Sequence, residues 1–188
     1  MKEVCLQVGF ITDQCGSKKE NEDSFLIDMD LGLFIVADGL GGHNAGKLAS
    51  QIATEEVALY VHDHLKGKEN PAEVLEQAIL YANNIIAKAA YADQDWRGDM
   101  GTTVLAALLV DSDFFVANVG DSRAYVITKD HIEQLSQDHT FVADWVDAGT
   151  IAAQEARTHE ARHGIWMALG VEDDVQPHIN QGSLDDDS

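Results

Sequence analysis

The feature that most constrains this fold is a change of hydrophobic period that occurs twice along the chain. Apolar residues alternate with other residues over positions 4–10, and two short apolar stretches follow at 24–29 and 31–37. From about Gly46 the apolar residues recur at helical spacing instead. A period of two predicts strands and a period near 3.6 predicts helices. The front of the chain therefore predicts strands that lead into helices.

Two consecutive helices are predicted in the middle of the chain. The first runs from about Gly46 to His64. The second begins with Asn70 as N-cap, Pro71 at the first helical position and Glu73 three residues after the cap, a combination typical of helix starts. We expect the two helices to pack against each other and on a sheet.

Strand patterns return as a meander over 102–110, 114–119, 124–128 and 132–135. Connections this short imply antiparallel pairing, because parallel strands need long crossovers. The order of strands, two helices and strands predicts an α+β fold with an antiparallel sheet. After Asp138 the pattern weakens to helical stretches at 141–148, which Gly149 ends, and at 152–161.

The charge of the chain restricts its partners. With 33 Asp and Glu against 12 Lys and Arg, the formal net charge is −21, so we expect no binding to nucleic acid. It weakly favours basic partners or basic flanking residues. No apolar run approaches the roughly 20 residues of a membrane span, and the start shows no secretory signal. We therefore expect a cytoplasmic protein that does not associate with a membrane. We also expect Cys5 and Cys15 to be reduced.

Three acidic groups fall at the ends of predicted strands, where a sheet can direct side chains to one point. They are Glu22 with Asp23 before a strand, Asp38 with Gly39 after one, and Asp121 between two strands of the meander. An Asp next to Gly is by itself usually a turn residue. Together the three groups predict a two-metal hydrolase site, because carboxylate oxygens select Mg²⁺ or Mn²⁺ over zinc.

A nucleotide hydrolase is the main rival from another class. Gly41, Gly46 and Lys47 match most of a phosphate-binding loop after a strand and before a helix. Leu48, however, stands where the hydroxyl that binds Mg²⁺ should be. The predicted antiparallel meander also argues against the parallel sheet that such proteins use.

Five ordered motifs resemble the metal-dependent serine/threonine protein phosphatases, the PPM or type 2C family, in its compact bacterial form. They are TDQCGSKKENED (12–23), VADGLGGHNAGKLAS (36–50), MGTTVLA (100–106), NVGDSRAYV (118–126) and LSQDHTFV (135–142). The resemblance implies a β-sandwich flanked by antiparallel helix pairs. It also implies a flap-like segment at about 140–165. The chain length predicts a single domain, over 1–184, and the terminal run of aspartates predicts an acidic tail at 185–188.

The resemblance also implies the roles of the site residues. Asp38 would bridge two Mn²⁺ or Mg²⁺ ions, the carbonyl of Gly39 and the side chain of Glu22 would be further ligands, and Asp23 would support them. Asp121 would help to hold a third, weaker ion. A water activated by the metals would attack the phosphorus of phosphoserine or phosphothreonine in a protein.

Two further residues have implied roles in handling the phosphate ester. His43 would donate a proton to the leaving hydroxyl, although a histidine beside glycines is equally often an exposed loop residue. Lys18, or else Lys19, stands where the family usually has an arginine, so we expect weaker binding of the phosphate. A cognate serine/threonine kinase would supply the substrate.

The end of the chain departs from the family pattern. Family members continue with an Asp-Gly pair and a later Asp-Asn pair that supply metal ligands, whereas this sequence stops at Ser188. One interpretation is a chain that lacks its C-terminal strands. The alternative is a degenerate relative that binds metal or phosphoprotein without turnover. Strand edges left exposed in either case predict a dimer or aggregation.

Overall fold

The computed structural model describes residues 6–14, 20–42, 44–67, 69–96 and 98–184. Its elements follow the predicted order of strands, two helices and strands. They are β1 (Asp23–Asp28), β2 (Leu33–Leu40), α1 (Ala45–His64), α2 (Pro71–Ala92), β3 (Gly101–Thr102), β4 (Val104–Val110), β5 (Asp113–Val119), β6 (Tyr125–Ile127), β7 (Ile132–Gln134), α3 (Phe141–Asp147), α4 (Ala153–Ala156) and β8 (His178–Ser183).

The larger sheet has the strand order β1-β2-β4-β5-β8, and the short β3 pairs with the end of β2. Every pairing in it is antiparallel, as the short connections predicted. β6 and β7 form a separate two-stranded hairpin. The antiparallel sheet excludes the parallel arrangement of the phosphate-binding-loop proteins, and Lys47 instead pairs with Glu20 at 3.1 Å.

The two long helices cover one face of the large sheet, and the core lies between the helices and that face. The side chain of Asn70 accepts a hydrogen bond from the backbone N–H of Ala72 at 3.1 Å, which confirms the predicted cap. Fully buried side chains from the sheet meet those from both helices. They include Leu33, Ile35 and Leu108 from strands and Val57, Leu75, Ile79 and Ile86 from helices.

The other face of the sheet is covered unevenly. The side-chain amides of Asn118 and Asn180 donate to the backbone oxygens of Gln137 and Leu135, at 2.7 and 3.0 Å, so the chain after β7 lies over β5 and β8. Over β1 and β2 lies the segment 8–13, whose Phe10 ring sits 4.9 Å from that of Phe25. The α+β class is confirmed. The full sandwich stays a prediction, because only one large sheet and one long helix pair lie among the described residues.

Two predictions about single elements are wrong, and one strand was missed. The described part of the alternating segment, residues 6–11, is not a strand, because it lies across the sheet face instead of pairing with an edge. The second helix of the weak region is only α4, one turn long. Strand β8 was not predicted at all. Its sequence is mostly polar, and only pairing with β5 makes it a strand.

No helix among the described residues is long and apolar enough to cross a membrane. The predicted acidic tail, 185–188, lies outside the described residues.

Candidate metal and phosphate site

Two of the predicted carboxylates lie directly opposite each other in the sheet. Asp23 begins β1, Asp38 lies near the end of β2, and the two are register partners. Paired residues of antiparallel strands project to the same face with Cβ atoms about 5 Å apart. Both line an open cavity of about 600 Å³ together with Ser122. Like charges in this position destabilise a sheet unless a cation compensates them.

Glu22 and Gly39 are brought together through their backbones. The N–H of Gly39 donates to the carbonyl of Glu22 at 3.2 Å. The buried hydroxyl of Ser50, on α1, donates to the same carbonyl at 2.6 Å. The start of β1 is therefore fixed against the end of β2 and the first turns of α1.

Gly39 is required by the close approach of α1. A Cβ atom at this position would lie 2.1 Å from the backbone oxygen of Gly46 and 2.6 Å from that of Glu22. Any side chain here would push the helix away from the strand. The glycine thus lets the backbone that carries Asp38 pass directly under the start of α1.

The backbone of Asp38 is held by two threonines. Its N–H donates to the hydroxyl of Thr103 at 2.9 Å, and its carbonyl accepts from the N–H of Thr103 and from the hydroxyl of Thr102. The Thr103 hydroxyl also lies 2.8 Å from that of Ser122. Asp38 is therefore tied through Thr103 to the loop that carries Asp121. Sequence reasoning missed this link, although the paired threonines at the start of a strand were visible.

Asp121 occupies a tight turn. Gly120 has a φ of 95°, and a Cβ there would lie 2.6 Å from the Thr103 methyl carbon. The carboxylate of Asp121 is exposed and lines a second cavity, while its neighbour Ser122 lines the cavity of Asp38. The turn therefore forms the boundary between the two cavities.

Buried His139 holds the turn at Gly120 in place through hydrogen bonds. The ring Nδ1 of His139 accepts from the N–H of Gly120 at 3.1 Å, and the backbone N–H of His139 donates to the Gly120 carbonyl. The ring also packs on that of Trp166. Burial, reinforced by His178, lowers the pKa of His139. The ring is therefore neutral at pH 7 and carries its proton on Nε2, because Nδ1 is an acceptor.

The loop after β2 is tied down by Asp99. Its carboxylate accepts from the N–H of Gly42 at 2.9 Å. A Cβ on Gly41 would lie only 2.1 Å from the Asp99 carbonyl oxygen. Asp99 was not predicted as a site residue. His43 and Lys18, which were, lie outside the described residues.

The chemical type of these groups fits a hard divalent cation. The facing carboxylates of Asp23 and Asp38 are oxygen donors of the kind that Mg²⁺ and Mn²⁺ prefer. Within the described ranges, no group of three His, Cys, Asp or Glu side chains is assembled as a metal cluster. The described residues therefore offer part of a metal site, namely one pair of facing carboxylates.

Known proteins resemble this chain in sequence and in structure. The serine/threonine phosphatase stp of Listeria welshimeri is 34% identical, over 89% of this chain and 68% of the relative. The solved structure of serine/threonine phosphatase Stp1 from Staphylococcus aureus superimposes with a TM-score of 0.84 and 31% identity, over 98% of this chain and 76% of the other.

A further solved structure carries metal. The catalytic domain of the serine/threonine protein phosphatase PstP, in complex with two manganese ions, matches with a TM-score of 0.75 and 31% identity, over 88% of this chain and 67% of that one. The profile of the Protein phosphatase 2C family matches residues 13–169. That range contains Asp23, Asp38 and Asp121. Because the match covers more than half of the chain, the chain belongs to the protein phosphatase 2C family.

Proposed function

We propose that the chain hydrolyses phosphoserine and phosphothreonine esters in proteins at a metal-dependent carboxylate site. The observation that carries the proposal is the register pair Asp23 and Asp38, which lines an open cavity beside the fixed backbones of Glu22 and Gly39. Family membership supports it, because the relatives are named serine/threonine phosphatases. Those names do not favour a relative that binds without turnover.

In this proposal each predicted residue keeps its role. Asp38, Glu22 and the Gly39 carbonyl would hold two divalent ions, with Asp23 beside them, and Asp121 would contribute to a third. When bound, such ions lower the pKa of a water and neutralise phosphate charge. The two manganese ions of PstP support metal dependence. The finer assignment to Mn²⁺ or Mg²⁺ is open to metal titration.

The protein's own groups orient the reaction. Thr103 holds the Asp38 backbone, and Gly39 and Gly41 let the chain after Asp38 pack closely against Gly46 and Asp99. Lys18 would contact the phosphate, and His43 would give a proton to the leaving hydroxyl, since its ordinary pKa near 6.5 suits that transfer. The reaction would take place in the cytoplasm and would reverse phosphorylation by a cognate kinase.

The proposal includes a single domain over 1–184 with a flap-like segment at about 140–165. Support comes from the base of that segment. Thr140 and Ile165 form an antiparallel bridge, and the Phe141 N–H donates to the Gly164 carbonyl. Between these points the chain leaves the sheet and packs on itself, with the Trp145 ring 5.1 Å from that of His159.

The decisive experiment measures phosphate release from a phosphoserine peptide, with Mn²⁺ and with chelator. We expect metal-dependent turnover in the wild type and its loss in Asp38→Asn. The matched control is Asp111→Asn, at an exposed turn with φ of 55° that asparagine tolerates. Turnover that survives in Asp38→Asn contradicts the assigned site. Binding of metal or phosphopeptide without turnover in the wild type favours the degenerate relative.

A dimer is the final part of the proposal. Among the described strands of the large sheet, β1 and β8 have a neighbour on one side only, and unpaired strand edges can pair with a second copy. Light scattering across a concentration series tests this. A monomer at every concentration contradicts it.

A further inference from the structure

The second cavity gathers the arginines of the protein. It has a volume of about 1020 Å³ and lies between the β6–β7 hairpin, α3, α4 and the start of β8. The chain has four arginines. Arg123, Arg157 and Arg162 all line this cavity, and Arg97 lies outside the described residues. None of the described lysines lines it. We call it the arginine cavity.

Two of these arginines are available to a ligand. Arg123 is committed, because its Nε and Nη2 atoms donate to both carboxylate oxygens of Asp138. The exposed side chain of Arg162 makes one long hydrogen bond, 3.5 Å, to the His159 carbonyl. Within the described part of the chain, the Arg157 side chain has no hydrogen-bond or ion-pair partner. Both side chains are exposed and line the cavity.

The arginine cavity adjoins the cavity of the proposed phosphatase site. Asp121 lines the arginine cavity and the next residue, Ser122, lines the cavity of Asp38. An extended peptide advances by about 3.3 Å per residue. A substrate whose phosphate lies near Asp38 would therefore place residues on one side of the phosphorylated position in the arginine cavity.

We propose that the arginine cavity binds acidic residues that flank the phosphorylated residue, and that Arg157 and Arg162 recognise their carboxylates. A guanidinium group pairs with a carboxylate through two parallel hydrogen bonds, which gives selectivity as well as attraction. The assignment rests on the proposed function, since it names the substrates of that same site. It reverses the expectation of basic flanks that the net charge of −21 suggests.

The range of electrostatic forces decides between these two expectations. The Debye length is about 8 Å at physiological ionic strength, so acidic groups on distant surfaces are largely screened. Inside the cavity, the Asp138 charge is already paired with Arg123. Apart from Asp138, the carboxylates that line the cavity with the guanidinium groups of Arg157 and Arg162 are those of Asp121 and Asp147. Local arginines therefore govern what binds in the cavity, and net charge governs only the approach.

The test compares two phosphoserine peptides, one flanked by Glu and one by Gln, on the wild type and on Arg157→Gln/Arg162→Gln. We expect the wild type to prefer the Glu peptide by about threefold to tenfold in kcat/KM, and the double variant to lose that preference. The matched control, Lys66→Gln/Lys88→Gln, removes the same charge from exposed positions outside the cavity. It should keep the preference.

A charge-reversed variant guards against a loss caused by misfolding. Arg157→Glu/Arg162→Glu should prefer a Lys-flanked phosphopeptide, a gain that an unfolded protein cannot show. Equal rates on the Glu and Gln peptides in the wild type, or an equal loss of preference in the lysine control, would overturn the proposal.

Binding separates this inference from the proposed function. Fluorescence anisotropy of the labelled phosphopeptides measures the same preference without turnover. If the wild type hydrolyses neither peptide but binds the Glu peptide in an Arg157- and Arg162-dependent way, the proposed activity fails and the acidic recognition stands. If hydrolysis occurs without any preference in rate or binding, the activity stands and the acidic recognition fails.

Discussion

At the scale of single residues, the site depends on how closely backbones approach each other. Gly39 lies where a Cβ would overlap the carbonyl oxygens of both Gly46 and Glu22. Backbone cannot rotate away as a flexible side chain can, so even the smallest side chain must separate α1 from β2.

We therefore expect Gly39→Ala to lower the free energy of unfolding by about 2–3 kcal/mol and to reduce metal-dependent activity as well. Urea denaturation measures the first effect. Gly9→Ala is the control, because a Cβ on Gly9 meets nothing within 4 Å. Equal stability of Gly39→Ala and Gly9→Ala would contradict the steric argument.

His139 gives the protein a defined response to acid. Its pKa is lowered by burial and by His178, while Asp144 and Asp138 oppose the change. The unfolded chain therefore binds a proton here more readily than the folded one. The stabilisation is fully present above the ordinary histidine pKa of about 6.5 and is lost as pH falls through that value toward the lowered pKa.

We expect the urea midpoint of the wild type to fall more steeply between about pH 7.5 and about pH 5.5 than that of His139→Asn, whose amide cannot titrate there. The difference between the two slopes isolates this residue from the many carboxylates. Parallel slopes would show that His139 makes no such contribution.

At the scale of elements, the site is assembled by Thr103, which lies between β3 and β4 and links β2 to the loop after β5. The Thr103 hydroxyl accepts from the Asp38 N–H and contacts the Ser122 hydroxyl. Removing it leaves a backbone donor without its partner, which typically costs about 1–3 kcal/mol.

Thr103→Val should therefore lose about that much stability, and its kcat should fall more than its affinity for peptide, because Asp38 is no longer held in place. Thr103→Ser keeps the hydroxyl and should retain most of both. Thermal melting and steady-state kinetics measure the two effects. A Thr103→Val variant as active as Thr103→Ser would contradict this role.

The elements that could be predicted from the sequence are those whose pattern is local. Residues 45–64 and 71–92 repeat apolar side chains at helical spacing, and Asn70 with Pro71 marks a start. Strand β8 could not be predicted, because residues such as Asn180 and Gln181 carry no apolar alternation and its partner lies more than fifty residues away in β5.

The site was predictable in composition but not in geometry. The acidic motifs named Asp23, Asp38 and Asp121, yet their sequence spacing does not show that Asp23 and Asp38 are register partners while Asp121 faces another cavity. The roles of Thr103 and His139 were hidden for the same reason. Each acts through a hydrogen bond to a residue distant in sequence.

At the scale of the whole molecule, the net charge of −21 opposes compaction, since like charges on a folded surface repel each other. Only one lysine, Lys47, and one arginine, Arg123, form ion pairs with carboxylates within the described residues. Most of the acidic surface is therefore uncompensated.

Raising KCl from about 20 mM to about 300 mM should therefore raise the melting temperature, because the added salt screens this repulsion. Chelator in the buffer keeps divalent ions from contributing, and calorimetry follows the transition. A melting temperature that stays constant or falls would show that the acidic surface does not limit stability.

The bridge between Thr140 and Ile165 has a consequence for how such a protein diversifies. The segment between these two residues leaves and rejoins the rest of the protein at one point. It can therefore be exchanged for another segment while the large sheet stays intact. If Arg157 and Arg162 select the substrate as proposed, we expect that grafting residues 141–164 from one phosphatase onto another transfers the preference for flanking residues and leaves the metal site unchanged.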